Sequence, residues 1–388
     1  MAAAEFVLKI ENGKLNVEGK IPYYKGEKNP QIKLNKNAVV NAMKLNQCEQ
    51  FKTTSDTDND YFAIYALDLK EDGIINVEYT TPVEGWCNLI NEDLVAISLY
   101  SHALPNNLPE YIQDSICYLG KGFENYEIYK AYKDETTGSY AKKTKNLFGE
   151  TVNIIGIRKE IYRTYRQDKF QVIYREGSKC DGLCNSLSIG VEAFHYFSRI
   201  YPAREMSEMN IIVLGNGDMG GAYIRNNMIV MGEPPEAEAT VQMTELRTYQ
   251  LFAHELGHIW FCRADVTTFE DWLNETGAEW SQLLFLLETG KEDLFHQLME
   301  WRYDEQRRVG EPIRPKDLHH PATVHTSGTV LFHLIYKKYG KEAVIKILQI
   351  LSRMEQQNTE DFLMNIATEY SAEIAEFIRN NIDEKIVV

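Results

Sequence analysis

No run of 18 consecutive apolar residues occurs in this 388-residue chain, so a membrane-spanning helix is not expected. A secretory leader is not expected either: Met1-Ala2-Ala3-Ala4-Glu5 meets an acid before any apolar run can form, and a cytoplasmic protein is the expectation. Cysteine is sparse. The six residues, Cys48, Cys87, Cys117, Cys180, Cys184 and Cys262, are too few for a dense disulfide framework. Cys180 and Cys184 are close in sequence, but no second pair with finger-like spacing stands near them, so loop thiols are a simpler reading than a metal knuckle. Positive charge is also short, with 41 Lys and Arg against 57 Asp and Glu and a net charge of −16. That balance argues against nucleic acid and anionic membranes as partners. It suits cationic or neutral peptides, or simply a solvated acidic surface. Internal repeats and low-complexity tracts are absent.

What is present describes a globular protein, 44% hydrophobic and 25% charged, long enough for two or three domains. Residues 1–158 are rich in Tyr, Val, Ile and Thr, with alternating runs such as Lys14-Leu15-Asn16-Val17-Glu18 and Gly73-Ile74-Ile75-Asn76-Val77-Glu78-Tyr79. Asn-Gly, Asp-Gly and Glu-Gly turns punctuate them, and Ala103 to Pro109 reads as a turn-rich connection. An N-terminal all-β domain, a sandwich or saddle, is expected there. Over 159–388 strands such as Phe170–Tyr174 and Met209–Leu214 mix with a helix near Ile189 to Tyr201, and helices dominate from Thr244 onward, including Lys341–Met354 and Thr359–Tyr370. The expected class is α+β.

His254-Glu255-Leu256-Gly257-His258 carries the chemistry. On a helix, residues i and i+4 lie one turn apart on one face, so both imidazoles can grip one zinc ion while Glu255 serves as general base. Thr244 is a candidate cap for this helix, and Leu246, Tyr249, Phe252, Ala253, Leu256 and Trp260 give it apolar spacings of three or four. Two buried imidazoles without partners are costly, and a metal removes that cost. Gly257 weakens an ordinary helix by about 1 kcal/mol, so its presence predicts something packed close against the motif.

A hydrolytic zinc site takes three protein ligands and leaves one position to water. The helix expected from Trp272 to a stop at Gly290 supplies Glu275 as the third. Glu279 follows one turn later, either accepting an N–H from a ligand histidine or standing as a solvated acid.

Trp272-Leu273-Asn274-Glu275 downstream of His-Glu-x-x-His resembles the signature of the M1 family of zinc metallopeptidases, the gluzincin aminopeptidases. The spacing from His258 to Glu275 is two residues shorter than is usual in that family, a contraction that helix-anchored ends tolerate. The resemblance implies a thermolysin-like catalytic domain with a mixed-sheet lobe and a helical lobe, one zinc ion per chain, and peptide substrates. It maps the family's Gly-Ala-Met-Glu-Asn edge strand, which pairs with substrate backbone, onto Gly220, Gly221, Ala222, Tyr223, Ile224 and Arg225. Two positions depart from the pattern. The family's amine-binding glutamate falls on Ile224, which cannot pair with an ammonium group and reads equally as a buried strand residue. Its catalytic tyrosine falls, without gaps, on His325, whose ring N–H can serve an oxyanion or which simply opens a helix ending near Gly340. Tyr336 lies nearer the family's spacing but about three turns further along that helix. Tyr223 and Arg225 are either substrate contacts or plain surface residues. With Val388 the last residue, the long helical domain of the family's larger members is not expected.

The expected activity is zinc-dependent peptide hydrolysis of aminopeptidase type. The alternatives are an endopeptidase or a peptidase of blocked N-termini, and, in another class, a silent zinc-containing peptide-binding protein. Side-chain preference and oligomeric state are not legible in the residues.

Overall fold

The structure is a computed structural model describing residues 2–388 apart from 28–29, 47–52, 57–61, 86, 99–100, 106–107, 110–111, 131–139, 144–152, 179, 181–182, 185, 205, 207, 215–220, 226–227, 233–248 and 267. Cys48, Thr244, Leu246 and most of the Gly-rich turn before Ala222, including Gly220, lie outside the described residues, as do two residues of the Ala103 to Pro109 connection.

Among the described residues the strands form four sheets. A six-stranded sheet orders Tyr140–Lys143, Ile112–Leu119, Ala2–Glu11, Lys14–Tyr23, Gly73–Thr81 and Val39–Leu45 side by side. Asn12 and Gly13 take φ of 52° and 71°, the left-handed pair that a two-residue hairpin needs, and this fixes the register of the first two strands. Along Lys14–Tyr23 the period-two pattern buries Leu15, Val17, Ile21 and Tyr23 and turns Lys14, Glu18 and Lys20 to solvent. Ala2–Glu11 pairs in parallel with Ile112–Leu119, a long-range contact that no local pattern announces.

Inward residues of this sheet share one core with Ile32, Leu34 and Leu67 of a three-stranded sheet and Val95, Ile97 and Ile154 of a four-stranded one. The four-stranded sheet is buried on both faces. Leu94 and Ala96 alternate with Val95 and Ile97 and, together with Ile155 and Ile157, pack against Ile212, Leu214, Met228 and Val230 of the next sheet. Strands that read as continuous apolar runs are therefore inner layers.

That next sheet has the order Tyr162–Gln167, Phe170–Arg175, Met209–Leu214, Met228–Gly232, Ala222–Arg225 and mixes parallel with antiparallel pairs. Its second face, through Val172, Ile211, Val213 and Ile229, packs on helices. These are α1 (Leu187–Ile200), α2 (Trp272–Glu288), α3 (Glu292–Val309), α4 (Val324–Tyr339), α5 (Lys341–Arg353), α6 (Thr359–Glu369) and α7 (Ala372–Ile382). Gly290 and Gly340, at φ 70° and 85°, end α2 and α4 where side-chain-bearing residues are strained. Cys180 and Cys184 are buried on the helix side of the sheet. No helix among the described residues is long and apolar enough to cross a membrane.

Candidate metal centre

The helix bearing His254 is not uniform. Gln250–His254 is wound as a π-helix, Glu255–Gly257 as an α-helix, and His258 already begins a turn closed by N–H bonds from Trp260 and Phe261 to the Gly257 carbonyl. The uniform helix expected through Trp260 is thus cut short, because the chain turns to bury Trp260 and Phe261 in an aromatic cluster with Phe197 and Tyr201. Wide π turns inside helices occur often at functional positions.

Three close approaches set the third-ligand helix against the histidines. A Cβ built on Gly257 would stand 2.9 Å from the Ala278 Cα, so the motif and α2 touch backbone to backbone. Gly277 admits the Phe261 ring and Gly328 of α4 admits the Thr276 hydroxyl in the same way. Asn274 clamps the shortened connector: its Oδ1 accepts from the Ala264 N–H at 3.1 Å and its Nδ2 donates to the Ala264 carbonyl at 3.2 Å and to Asp271 Oδ1 at 2.8 Å.

Within this frame His254 Nε2 and His258 Nε2 lie 3.3 Å apart with their rings near perpendicular. Glu275 Oε2 stands 3.4 Å from the first and 3.6 Å from the second. Zinc bonds of about 2.0–2.1 Å in a tetrahedron make ligand–ligand edges of roughly 3.3–3.5 Å, so these three atoms outline one face of such a tetrahedron. The protonation pattern agrees. His258 Nδ1 is 2.9 Å from the Phe261 carbonyl, which can only accept, so Nδ1 carries the hydrogen and Nε2 presents its lone pair inward. His254 Nδ1 faces Glu279 Oε1 at 3.6 Å. Two ring nitrogens and a carboxylate oxygen converge on one point, and Glu275 Oε2 is buried with three imidazole nitrogens within 3.6 Å but none at hydrogen-bond geometry. A divalent cation gives that oxygen and both nitrogens a shared partner, so the donor set fits zinc.

His325, in the first turn of α4, joins the cluster from the solvent side. Its Nδ1 is 2.9 Å from Glu275 Oε2 and 3.7 Å from Glu279 Oε1, and its side chain is 47% exposed. Burial opposes charge on the Glu275 carboxyl, but the facing His325, His258 and His254 rings overcome it and hold the group well below the usual range. Burial likewise opposes charge on Glu279; Arg302, His325 and His254 outweigh it and bring the carboxyl to about 2. Glu279 is therefore an ionised, buried partner rather than a solvated acid. Glu255 is buried as well. Burial pushes the Cys87 thiol up to about 12, with the Glu255 carboxylate adding to the shift.

Ala222–Arg225 is an edge strand hydrogen-bonded only to Met228–Gly232 among the described strands, and it lies against the motif helix. Its alternation corrects one expectation. Tyr223 is neither surface nor turned to the metal cluster; it points into the layer between sheets and its hydroxyl donates to Asn153 Oδ1 at 3.1 Å. Ile224 and Ala222 occupy the helix-facing side, with Ile224 only 4% exposed. Arg225 folds back on its own strand, donating to the Ile224 carbonyl at 2.7 Å. Gly221 is exposed at φ 134°. Tyr336 packs against Trp280 and Phe295, away from the cluster formed by His325.

Sequence reasoning missed Arg302. Its guanidinium ion-pairs with Glu279 and bonds Glu305 and Thr326. The signal was present, since Arg302 falls in phase with the buried Phe295, Leu298, Met299 and Gln306 of α3.

No family model matches the sequence, and no curated protein matches it. Solved structures do match in fold. An M1 zinc metallopeptidase from Deinococcus radiodurans, solved with a Tyr-Ser-Ala substrate, is 14% identical, with all of this chain and 94% of that one covered at a TM-score of 0.64. Leukotriene A4 hydrolase from Saccharomyces cerevisiae is 12% identical, covering 99% of this chain and 68% of that one at a TM-score of 0.66. At such identities the likeness is one of fold: a mixed α+β architecture shared with M1 zinc metallopeptidases.

Proposed function

We propose that this chain is a zinc-dependent hydrolase of peptide bonds, aminopeptidase-like by its resemblance to the M1 peptidases. The observation that carries the reading is the triangle of His254 Nε2, His258 Nε2 and Glu275 Oε2, with sides of 3.3, 3.4 and 3.6 Å. In this reading an N-terminal domain over 1–158 adjoins a catalytic domain over 159–388.

Zinc held by His254, His258 and Glu275 supplies Lewis-acid activation of water and of the scissile carbonyl. Glu255 takes a proton from the attacking water as the carbon–oxygen bond forms, then gives it to the departing amine as the carbon–nitrogen bond breaks, leaving a carboxylic acid and an amine. The half-exposed His325 donates from its ring to the negative oxygen that develops on the substrate carbon. Gly221 and Ala222 offer main-chain groups at the sheet edge to an extended peptide, a pairing that gives affinity with little sequence preference. Glu279 holds the His254 ring.

One observation favours a second specificity within this class. Ile224 is packed in the apolar cluster, so it gives the site no carboxylate for a free α-ammonium. Internal bonds or blocked N-termini would then be accepted. A zinc-containing peptide binder without turnover is the rival of another class, and a buried glutamate beside the first ligand histidine speaks against it. Zinc analysis of the purified protein, with turnover of an amino-acid amide compared with an N-blocked peptide, separates the three. A zinc-loaded protein that cleaves nothing in a broad peptide library would leave only the binder.

A further inference from the structure

We propose that Arg302 is a positioning residue that anchors Glu279 and the first turn of α4 together, so that one guanidinium sets both the His254 ligand ring and His325. The inference rests on the zinc-hydrolase reading above.

The geometry runs through three helices. Arg302 lies on α3, and its side chain is only 9% exposed. One amino group ion-pairs with Glu279 Oε1 on α2. The other bonds Glu305 Oε2 at 3.2 Å on its own helix and reaches Thr326 Oγ1 at 3.4 Å on α4, while the Thr326 hydroxyl itself donates to Glu305. Thr326 is the residue after His325. The carboxylate oxygen gripped by Arg302 is the same one that faces His254 Nδ1 at 3.6 Å and His325 Nδ1 at 3.7 Å. A buried carboxylate next to two imidazoles has several orientations open to it, and a planar two-armed cation selects one. The remaining Arg302 Nε is buried without a partner, so the residue sits there at an uncompensated desolvation cost that a purely packing role would avoid by using an apolar side chain. The Glu279 charge, 3.6 Å from His254 Nδ1, favours the ring hydrogen on that nitrogen and leaves Nε2 to the metal.

The test uses the full chain and reads metal affinity apart from turnover. In chelator competition with zinc, Arg302→Met is expected to bind the metal about 10–100-fold more weakly than wild type. Its kcat should fall by a similar factor while KM stays within about twofold. Combining Arg302→Met with Glu279→Gln should cost no more than the worse single change, because both break one chain of contacts. If Arg302→Met does not fold by circular dichroism, Arg302→Lys decides. It keeps the charge beside Glu279 but not the second arm, so zinc affinity near wild type with about tenfold lower kcat is expected. Folded Arg302 variants with unchanged zinc affinity and unchanged kcat overturn the anchor alone. Wild-type protein that takes up no zinc overturns the hydrolase reading and the anchor with it.

Discussion

His325 Nδ1 and Glu275 Oε2 stand 2.9 Å apart, which puts a ring from the start of one helix beside the carboxylate offered as third ligand by another. The ring is half exposed, so it can be replaced without opening the core. His325→Phe should keep the fold and zinc content while kcat falls by about 10²–10³, the usual cost of one oxyanion donor. Steady-state kinetics on a peptide substrate measure it, and an unchanged rate removes His325 from the reaction.

Glu255→Gln keeps the shape of the side chain and deletes the base. Zinc stoichiometry by elemental analysis should match wild type, while kcat drops by about 10²–10⁴. Loss of zinc in this variant would mean that Glu255 acts on the site through structure instead.

Gly257→Ala inverts an ordinary rule. In an open helix the change gains about 1 kcal/mol, but here the new methyl meets the Ala278 Cα at 2.9 Å, and backbone cannot step aside. A loss of about 1–3 kcal/mol in urea unfolding is expected, with weaker zinc binding because α2 carries Glu275. A stabilised variant with wild-type affinity would show that the two segments can part freely.

His333 carries a pH signature of stability. Burial, then Lys337 and His296, push its pKa down to about 4. Tyr303 lies 3.1 Å from His333 Nδ1 and its hydroxyl accepts from Lys337, so it donates to a neutral ring. Because the folded pKa lies below the unfolded value, the contribution is fully present above pH 6.5. It is lost progressively as pH falls toward 4, where the unfolded chain binds the proton first. On the order of 2 kcal/mol should disappear between pH 7 and 4.5. His333→Phe should flatten that part of the stability curve, and an equally steep curve in the variant would assign the slope to other groups.

What was readable in the sequence was what short-range spacing dictates. The two histidines and the glycine stops at Gly290 and Gly340 depend on contacts within a turn or on a backbone angle only one residue type takes easily, while Glu275, on another helix, was picked out by the Trp272-Leu273-Asn274-Glu275 pattern. Gly257 was readable as a close approach, though not what would approach it. Arg302 was hidden because its partner Glu279 is on another helix and a cation on an apolar stripe has no unique meaning in one dimension. The direction of Tyr223 was hidden for a related reason: alternation fixes that neighbours face opposite ways, but which face meets another sheet depends on strands far away, such as the one bearing Asn153. The parallel pairing of the first strand with Ile112–Leu119 has the same origin.

The wide turn at Gln250–His254 has a bearing on how this chain is compared with others. A π turn houses one residue more than an α turn, so an insertion has already been absorbed immediately before the ligands. Excising one residue there would leave the histidines seated on α2 and swing Tyr249 by about 100°. The side chain of Tyr249 and those after His258 are thus out of step by one position, which an ungapped comparison across Gln250–His254 cannot follow.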